Sequence, residues 1–516
     1  MDFEEREQRR RRQLIKVIIA EVGMVLSVIA IVVVATLAAM GFFVTSSGKI
    51  EQSGLIQIHS MPTGATVELD GSTIFSRTNL SRSLTAGEHS LKLSRDGYDT
   101  WQKTIKMSSG MLMRLHYPRL FLLNRKSELA LRLDEELEFY LPSLDRMYIL
   151  YAASDSTTWN LVNVRDDELK TTQLDLSKIL PGITDGKFLG EVKDLRWSNN
   201  SDKVLVKIAY SGKVEWVLIN LRDLKQSLNL SQTFGLEFTQ VEMIDDGAAQ
   251  LFALENQQLR RINTNDQSIS RVLLKDVMTF ANNKTNLVYV MQPVANQGSD
   301  KEKIIGVYRD GEKGGTVLTK VPDETSVTVA LTRLYDEDYL AYAIGNNLSV
   351  YYGALPSYRE DAQNTDFSSL KILIDKVKLK MAPESFSLSP EGEYIVASRE
   401  KQFMVVDLET GELIEYDAMT AKLSWLDGAM MMAVDNDSLW AWDFDNTNQR
   451  QLVRYLPTDV KDNDDNDVKA ETGAVTTTIH TKLAQYPAMI ADNDRWLYYL
   501  TETNSGLALM RERIRD

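Results

Sequence analysis

Phe386-Ser387-Leu388-Ser389-Pro390-Glu391-Gly392-Glu393-Tyr394-Ile395-Val396-Ala397 is followed by Phe403-Met404-Val405-Val406-Asp407-Leu408-Glu409-Thr410-Gly411-Glu412-Leu413. Short apolar runs rich in β-branched and aromatic residues, broken by Pro, Gly and Asp, read as strands and tight turns. The stretch therefore spells strand, Ser-Pro-x-Gly turn, strand, strand, Asp-x-x-Thr-Gly turn, strand. A second copy opens at Leu195-Arg196-Trp197-Ser198-Asn199-Asn200-Ser201-Asp202-Lys203-Val204-Leu205-Val206 and closes on Trp216-Val217-Leu218-Ile219-Asn220-Leu221. Weaker copies in the same order begin near Phe139, Val241, Val277, Val327, Leu423 and Tyr486. No helical period persists from Arg119 onward.

Eight such units share residues 119–516, at roughly 50 residues each, slightly above the ~40–45 of common four-stranded repeats. Four-stranded units at this spacing predict a β-propeller, in which neighbouring blades cover one another's flat faces and only short edges remain. Eight blades is the preferred count and seven the alternative. The last unit runs out of chain after Leu507-Ala508-Leu509-Met510, and Leu129-Ala130-Leu131-Arg132-Leu133, ahead of the first unit, is expected to supply its outer strand. The units resemble TolB-like and WD40-like propeller repeats of bacterial extracytoplasmic proteins. That resemblance speaks to fold and leaves the role open.

Upstream, a different alternation marks a smaller all-β module at 55–118. Leu55-Ile56-Gln57-Ile58 and Ala65-Thr66-Val67-Glu68-Leu69 alternate, Asp70-Gly71 and Asp96-Gly97 mark turns, and Trp101 to Met107 gives a final strand. Ser60-Met61-Pro62-Thr63-Gly64-Ala65-Thr66-Val67-Glu68-Leu69-Asp70-Gly71 resembles the opening of a PEGA domain. Leu84-Thr85-Ala86-Gly87-Glu88-His89 and Gly97-Tyr98 stand where that family has an L-x-x-G-x-H element and a G-Y pair. Thr63 replaces the eponymous Glu, and Thr78-Asn79 replaces the Thr-Pro of the middle turn. The resemblance implies a small β-sandwich serving as a spacer or adhesion module on the bacterial envelope, and it implies no catalysis.

The N-terminus carries a membrane signal. Arg9, Arg10, Arg11 and Arg12 are consecutive, and no residue from 22 to 44 is charged. As a helix, those residues would span roughly 35 Å, enough for a ~30 Å hydrocarbon core. The expected layout is a basic cytoplasmic tail at 1–14, a transmembrane helix at 15–44 and a polar stalk at 45–54. The arginines should stay inside, which places the rest beyond the membrane. A cleaved signal peptide would have a shorter apolar core of about 7–15 residues, and no A-x-A site follows Ala39. Arg11-Arg12-Gln13-Leu14-Ile15-Lys16 also resembles a twin-arginine signal, although a topology determinant is the simpler reading.

Composition narrows the chemistry. The chain has 516 residues, 43% of them hydrophobic and 25% charged, and a mean hydropathy of −0.25, so it is globular with a small membrane part. With 58 basic against 73 acidic residues the net charge is −15, which disfavours nucleic acid as a partner. Cys is absent, so disulfides, thiol catalysis and thiolate metal sites are ruled out. No P-loop, G-x-G-x-x-G, G-x-S-x-G, H-E-x-x-H or sialidase box occurs.

Four histidines remain. His59, His89 and His116 fall in the small module, too far apart in sequence for ligand spacing, and read as hydrogen-bonded turn or edge residues. His480 sits in the Thr-rich run Thr476-Thr477-Thr478-Ile479-His480, without a nucleophile context. The acidic insert at 458–474, with Asp459, Asp462, Asp464, Asp465 and Asp467, fails the EF-hand pattern. Counted from Asp462, Asp467 and Gly473 occupy the places of its Gly and Glu, and the insert reads as a solvated loop. The polar stretches 296–300 and 311–315 read as hairpin tips. Trp159, Trp197, Trp216, Trp425, Trp440 and Trp442 fall on strands, where core packing is the default and a recognition patch the alternative. No catalytic, cofactor-binding or metal-ligating residue is therefore assigned, and no cofactor is expected.

The reading is a single-pass membrane protein presenting a propeller outside the cell for recognition of another envelope protein or a wall polymer. The alternative is an extracytoplasmic hydrolase of glycans or peptides, with carboxylates converging in the propeller's central opening.

Overall fold

Strand-period alternation builds most of the described elements of this protein. In a computed structural model, the structure describes residues 3–39, 41–44, 50–133, 136–292, 302–360, 368–416, 423–434, 438–454, 482–503 and 506–516. They fall into two units, 1–124 and 125–516.

In the first unit, helix α1 (Phe3–Ala39) carries an apolar stretch, Ile18–Leu37, with mean hydropathy 2.8 and no protein covering it. Val22, Leu26 and Ile29 are each more than half exposed. Such a rod is long enough to cross a bilayer, and an N-terminal signal sequence would look the same. The helix starts ahead of the expected 15–44 segment, inside the expected basic tail, and ends before it does. It stops at Ala39, and Phe42–Val44 (β1) pairs with Ile50–Gln52 (β2). Gly41, at a φ of +80°, makes the turn, and its carbonyl accepts from the Ser53 N–H at 2.8 Å. The far part of the expected stalk is therefore paired with the last residues of the expected membrane segment, and 45–49 lies outside the described residues.

Seven strands follow: β3 (Gly54–Ile58), β4 (Thr66–Leu69), β5 (Ser72–Arg77), β6 (Leu80–Leu84), β7 (Gly87–Ser94), β8 (Trp101–Met107) and β9 (Leu112–Leu115). They form two sheets, β6-β3-β9 and β5-β4-β7-β8. Between them lie Ile56, Ile58, Val67, Leu91, Leu93, Trp101 and Ile105, all at 2% exposure or less. Each such side chain contributes ~1.5–3 kcal/mol by leaving water.

The second unit is a β-propeller. Its described residues form eight sheets of four or more strands, antiparallel and, in seven of them, in chain order. One runs Glu191–Trp197, Lys203–Tyr210, Lys213–Asn220 and Leu228–Asn229. Middle strands are covered on both faces, which explains unbroken apolar runs such as Met430–Val434, all five residues buried. The period of two then divides each strand between its neighbours. Val204 and Val206 pack toward the first blade with Leu150 and Trp159, and Leu205 packs toward the third with Leu251 and Ala253. In the third blade, Phe252 and Leu254 turn the other way, onto Leu287 and Tyr289 of the fourth.

The eighth sheet closes the circle. Its first strands (Lys482–Leu483 and Met489–Ile490) pair with Trp496–Thr503, which pairs with Gly506–Arg513, and the outer strand is β10 (Ser127–Arg132) from the beginning of the unit. Leu129 faces Met510 and Leu131 faces Leu509. Tyr498, Leu500 and Leu509 then share a core with Ile149 and Tyr151 of the first blade.

Candidate functional site

At one end of the propeller, the first strand of every blade turns back into the second. Residues of those first strands and of several of the turns line a central funnel of about 690 Å³. The turns are held from within. Ser143, Ser198 and Ser389 occupy the same place in three of them. The Ser389 Oγ accepts from the N–H of Glu393 and of Tyr394, both at 3.1 Å, and the Ser143 Oγ accepts from Met147 and Tyr148. Elsewhere an Asp does this work. The Asp427 carboxylate accepts from the N–H of Ala429 and Met430, and Asp245 accepts from Gly247, Ala249 and Gln250. Short polar side chains that mimic a backbone turn explain why Ser and Asp recur here.

Adjacent turns are also bonded to each other. Asn283 Nδ2 donates to the Thr332 carbonyl at 2.9 Å, Asn282 Nδ2 to the Met243 carbonyl at 2.9 Å, and the Asp492 N–H to the Arg146 carbonyl at 3.0 Å. The funnel wall is therefore a fixed ring.

Apolar groups dominate that wall, among them Leu141, Leu195, Ile244, Leu331, Leu388 and Leu426. Charged groups are scattered over it, and most are already engaged. Arg196 reaches Glu242 of the next blade at 2.5 Å and also Asp194. Arg146 pairs with Asp494 at 3.1 Å, and Arg333 with Asp338 at 3.5 Å. Lys284 has no carboxylate partner among the described residues.

Glu391 is the carboxylate that stands apart. It is exposed at the mouth, and the absence of a side chain on Gly428 lets its carboxyl lie against the neighbouring blade. Partial desolvation, aided by the negative charge of Asp427, raises its pKa above the ordinary carboxylate value, a rise that water in the open funnel screens. Just outside, burial and the charges of Glu391, Glu409 and Asp407 push Glu393 up to about 7.

The remaining residues that the sequence singles out lie elsewhere. His89 is buried in the sandwich, with Nδ1 at 2.7 Å from Asp70 Oδ2 and Nε2 at 2.9 Å from the Thr85 carbonyl. His59 and His116 come together despite their separation in sequence, with ring centroids 4.6 Å apart. His480, the acidic insert 458–474 and the tip 296–300 lie outside the described residues. Among the described residues, no group of three or more His, Asp and Glu is placed to hold a metal ion. Trp159, Trp197, Trp216 and Trp442 are buried, whereas Trp440 is 38% exposed. Trp197 and Trp425 also line the funnel. The Arg196–Glu242 pair escapes sequence reasoning, because it joins two blades. The Ser of the Ser-Pro-x-Gly turn was the available signal for the rim.

Comparison with known proteins bears on the two units differently. Residues 53–118 match the PEGA domain family. The PEGA domain thus covers the sandwich, from the residue before β3 to just past β9. No curated protein sequence matches the chain. Among solved structures, the Cps50 (Swd1) β-propeller domain of Myceliophteria thermophila is similar at 13% identity and a TM-score of 0.37, over 60% of this chain and 95% of that one. An oligogalacturonate lyase from Vibrio parahaemolyticus is similar at 12% identity and a TM-score of 0.32, over 62% and 88%. Apo AztD from Citrobacter koseri is similar at 8% identity and a TM-score of 0.33, over 75% and 94%.

Proposed function

We propose that the chain is a membrane-anchored extracytoplasmic binding protein, whose partner, an envelope protein or wall polymer, seats on the funnel mouth of the propeller. The apolar helix ahead of a PEGA domain supports the anchored, outward arrangement. One observation carries the binding role: the funnel's charged groups are mostly spent on its own architecture. Asp245 and Asp427 hold turns, Glu242 holds Arg196, and Glu391 is the lining carboxylate left over, its neighbour Glu393 lying outside the lining. A glycosidase needs two carboxyl groups at liberty on opposite sides of a bond. A binding surface needs apolar area with scattered polar groups on a rigid frame, which is what this wall offers.

A photo-crosslinking residue at the exposed rim position Leu388 or Leu144 tests the proposal in whole cells. The expected result is one dominant adduct with an envelope component, lost when Lys284→Glu and Arg333→Glu reverse two rim charges. Absence of any rim adduct, together with cleavage of glycans or peptides that Glu391→Gln abolishes, would favour the hydrolase reading instead. The anchored topology has its own check, since the chain has no Cys to confuse it. Single substitutions Ser109→Cys and Gln8→Cys should respectively react with, and be shielded from, a membrane-impermeant maleimide added to intact cells.

A further inference from the structure

The register of the smaller PEGA sheet sets two histidines level with each other. β9 runs parallel to β3 with Ile58 opposite Leu115, and both side chains enter the core at 1% and 3% exposure. One residue further, the strand period turns His59 and His116 to the outer face. The ladder is still intact there: the His59 N–H donates to the Leu115 carbonyl at 2.8 Å. The rings meet edge to face at 83° with centroids 4.6 Å apart. Among the described residues, neither ring has a hydrogen-bond partner, and His116 is exposed.

Paired imidazoles without hydrogen bonds, held by backbone register and open to solvent, have the donor type that late first-row cations prefer. We propose that His59 and His116 form a two-histidine site for such a divalent cation on the outer face of the PEGA domain, with water completing the coordination. Arg114 lies on the same outward row, beside Gln57. Its positive charge opposes the ion, and removing it should therefore tighten binding, an effect that ring packing alone does not produce.

The test uses the full chain, purified in detergent without a histidine tag and titrated by calorimetry with Cu²⁺, Ni²⁺ and Zn²⁺ separately. One ion per chain is expected, with Cu²⁺ tightest. His59→Gln and His116→Gln should each weaken binding at least about tenfold, Arg114→Gln should strengthen it severalfold, and His480→Gln should change nothing. Copper resonance spectra should show nitrogen ligation that disappears in His116→Gln, an exposed position where the fold is retained. Failure of all three ions to bind at about 100 μM, or binding that survives both the His59 and His116 substitutions, overturns the proposal.

Discussion

His89 shows how much one side chain can be asked to do in the PEGA domain. Both ring nitrogens face acceptors, the Asp70 carboxylate and the Thr85 carbonyl, so the doubly protonated imidazolium satisfies both at once. The hydrogen bond to Asp70, reinforced by that to the Thr85 carbonyl, raises the His89 pKa, and the same pairing lowers that of Asp70. The signs give opposite edges to one stability window. The His89 contribution is complete below its unfolded value of about 6.5 and is lost as pH rises through the raised folded value. The Asp70 contribution is present above about 3.8 and is lost as pH falls through the depressed one. Hydrogen exchange of the β7 amides, corrected for intrinsic rate, should therefore show weaker protection at about pH 8.5 than at about pH 6. In His89→Gln that difference should vanish, and an undiminished step in the variant would refute the assignment. In the sequence His89 was visible only as a motif position. Its partner Asp70 was visible as half of an Asp-Gly turn, and nothing in either pattern said that the two would meet.

At the scale of the element, the Ser-Pro-x-Gly turn is constrained twice over. Gly392 takes a φ of +77°, and a Cβ there would lie 2.5 Å from Thr332 Oγ1 in the preceding blade. The glycine of Ser-Pro-x-Gly thus serves both the turn and the seam between blades, since its carbonyl accepts from the Thr332 hydroxyl at 3.4 Å. Gly392→Ala should cost about 1–3 kcal/mol, from the left-handed backbone and the crowding together. The measurement is the urea midpoint of the propeller transition, and a shift no larger than that of Gly212→Ala would show that the crowding is relieved freely. Gly212 also has a positive φ, at 76°, but open space around its Cβ position. Turn chemistry of this kind was legible, because Ser, Pro, Gly and Asp act locally. The Arg196–Glu242 pair and the level placement of His59 and His116 were not, because each depends on which strands become neighbours. Periodicity tells a side chain which face to take and says nothing about what waits there.

For the molecule as a whole, the decisive arrangement is the return of the chain's end to strand β10. It was legible because the last unit was one strand short and an apolar alternation at 129–133 was otherwise idle. What the sequence did not reveal is how the joint is fastened. Glu512, at 5% exposure, accepts from the Ser127 hydroxyl at 2.5 Å, the Tyr499 hydroxyl at 3.0 Å and Arg125 Nε at 3.2 Å. Arg125 continues to the Leu452 carbonyl of the seventh blade at 2.8 Å. One buried carboxylate therefore ties the first strand of the ring to the last two blades. Removing it takes the carboxylate from a mostly buried guanidinium and leaves the Ser127 and Tyr499 hydroxyls to each other, so Glu512→Ala should destabilise the propeller by about 3–5 kcal/mol. Glu512→Gln, which keeps the acceptor oxygen without the charge, should cost clearly less. The weakening should also be directional. Limited proteolysis of Glu512→Ala should cut first within 125–133, because the outer strand is held by the fewest neighbours once its clasp is gone. If the first cuts fall instead between middle blades, or if the two variants unfold alike, then the ring is closed by the Leu129–Met510 and Leu131–Leu509 contacts and the carboxylate is incidental to it.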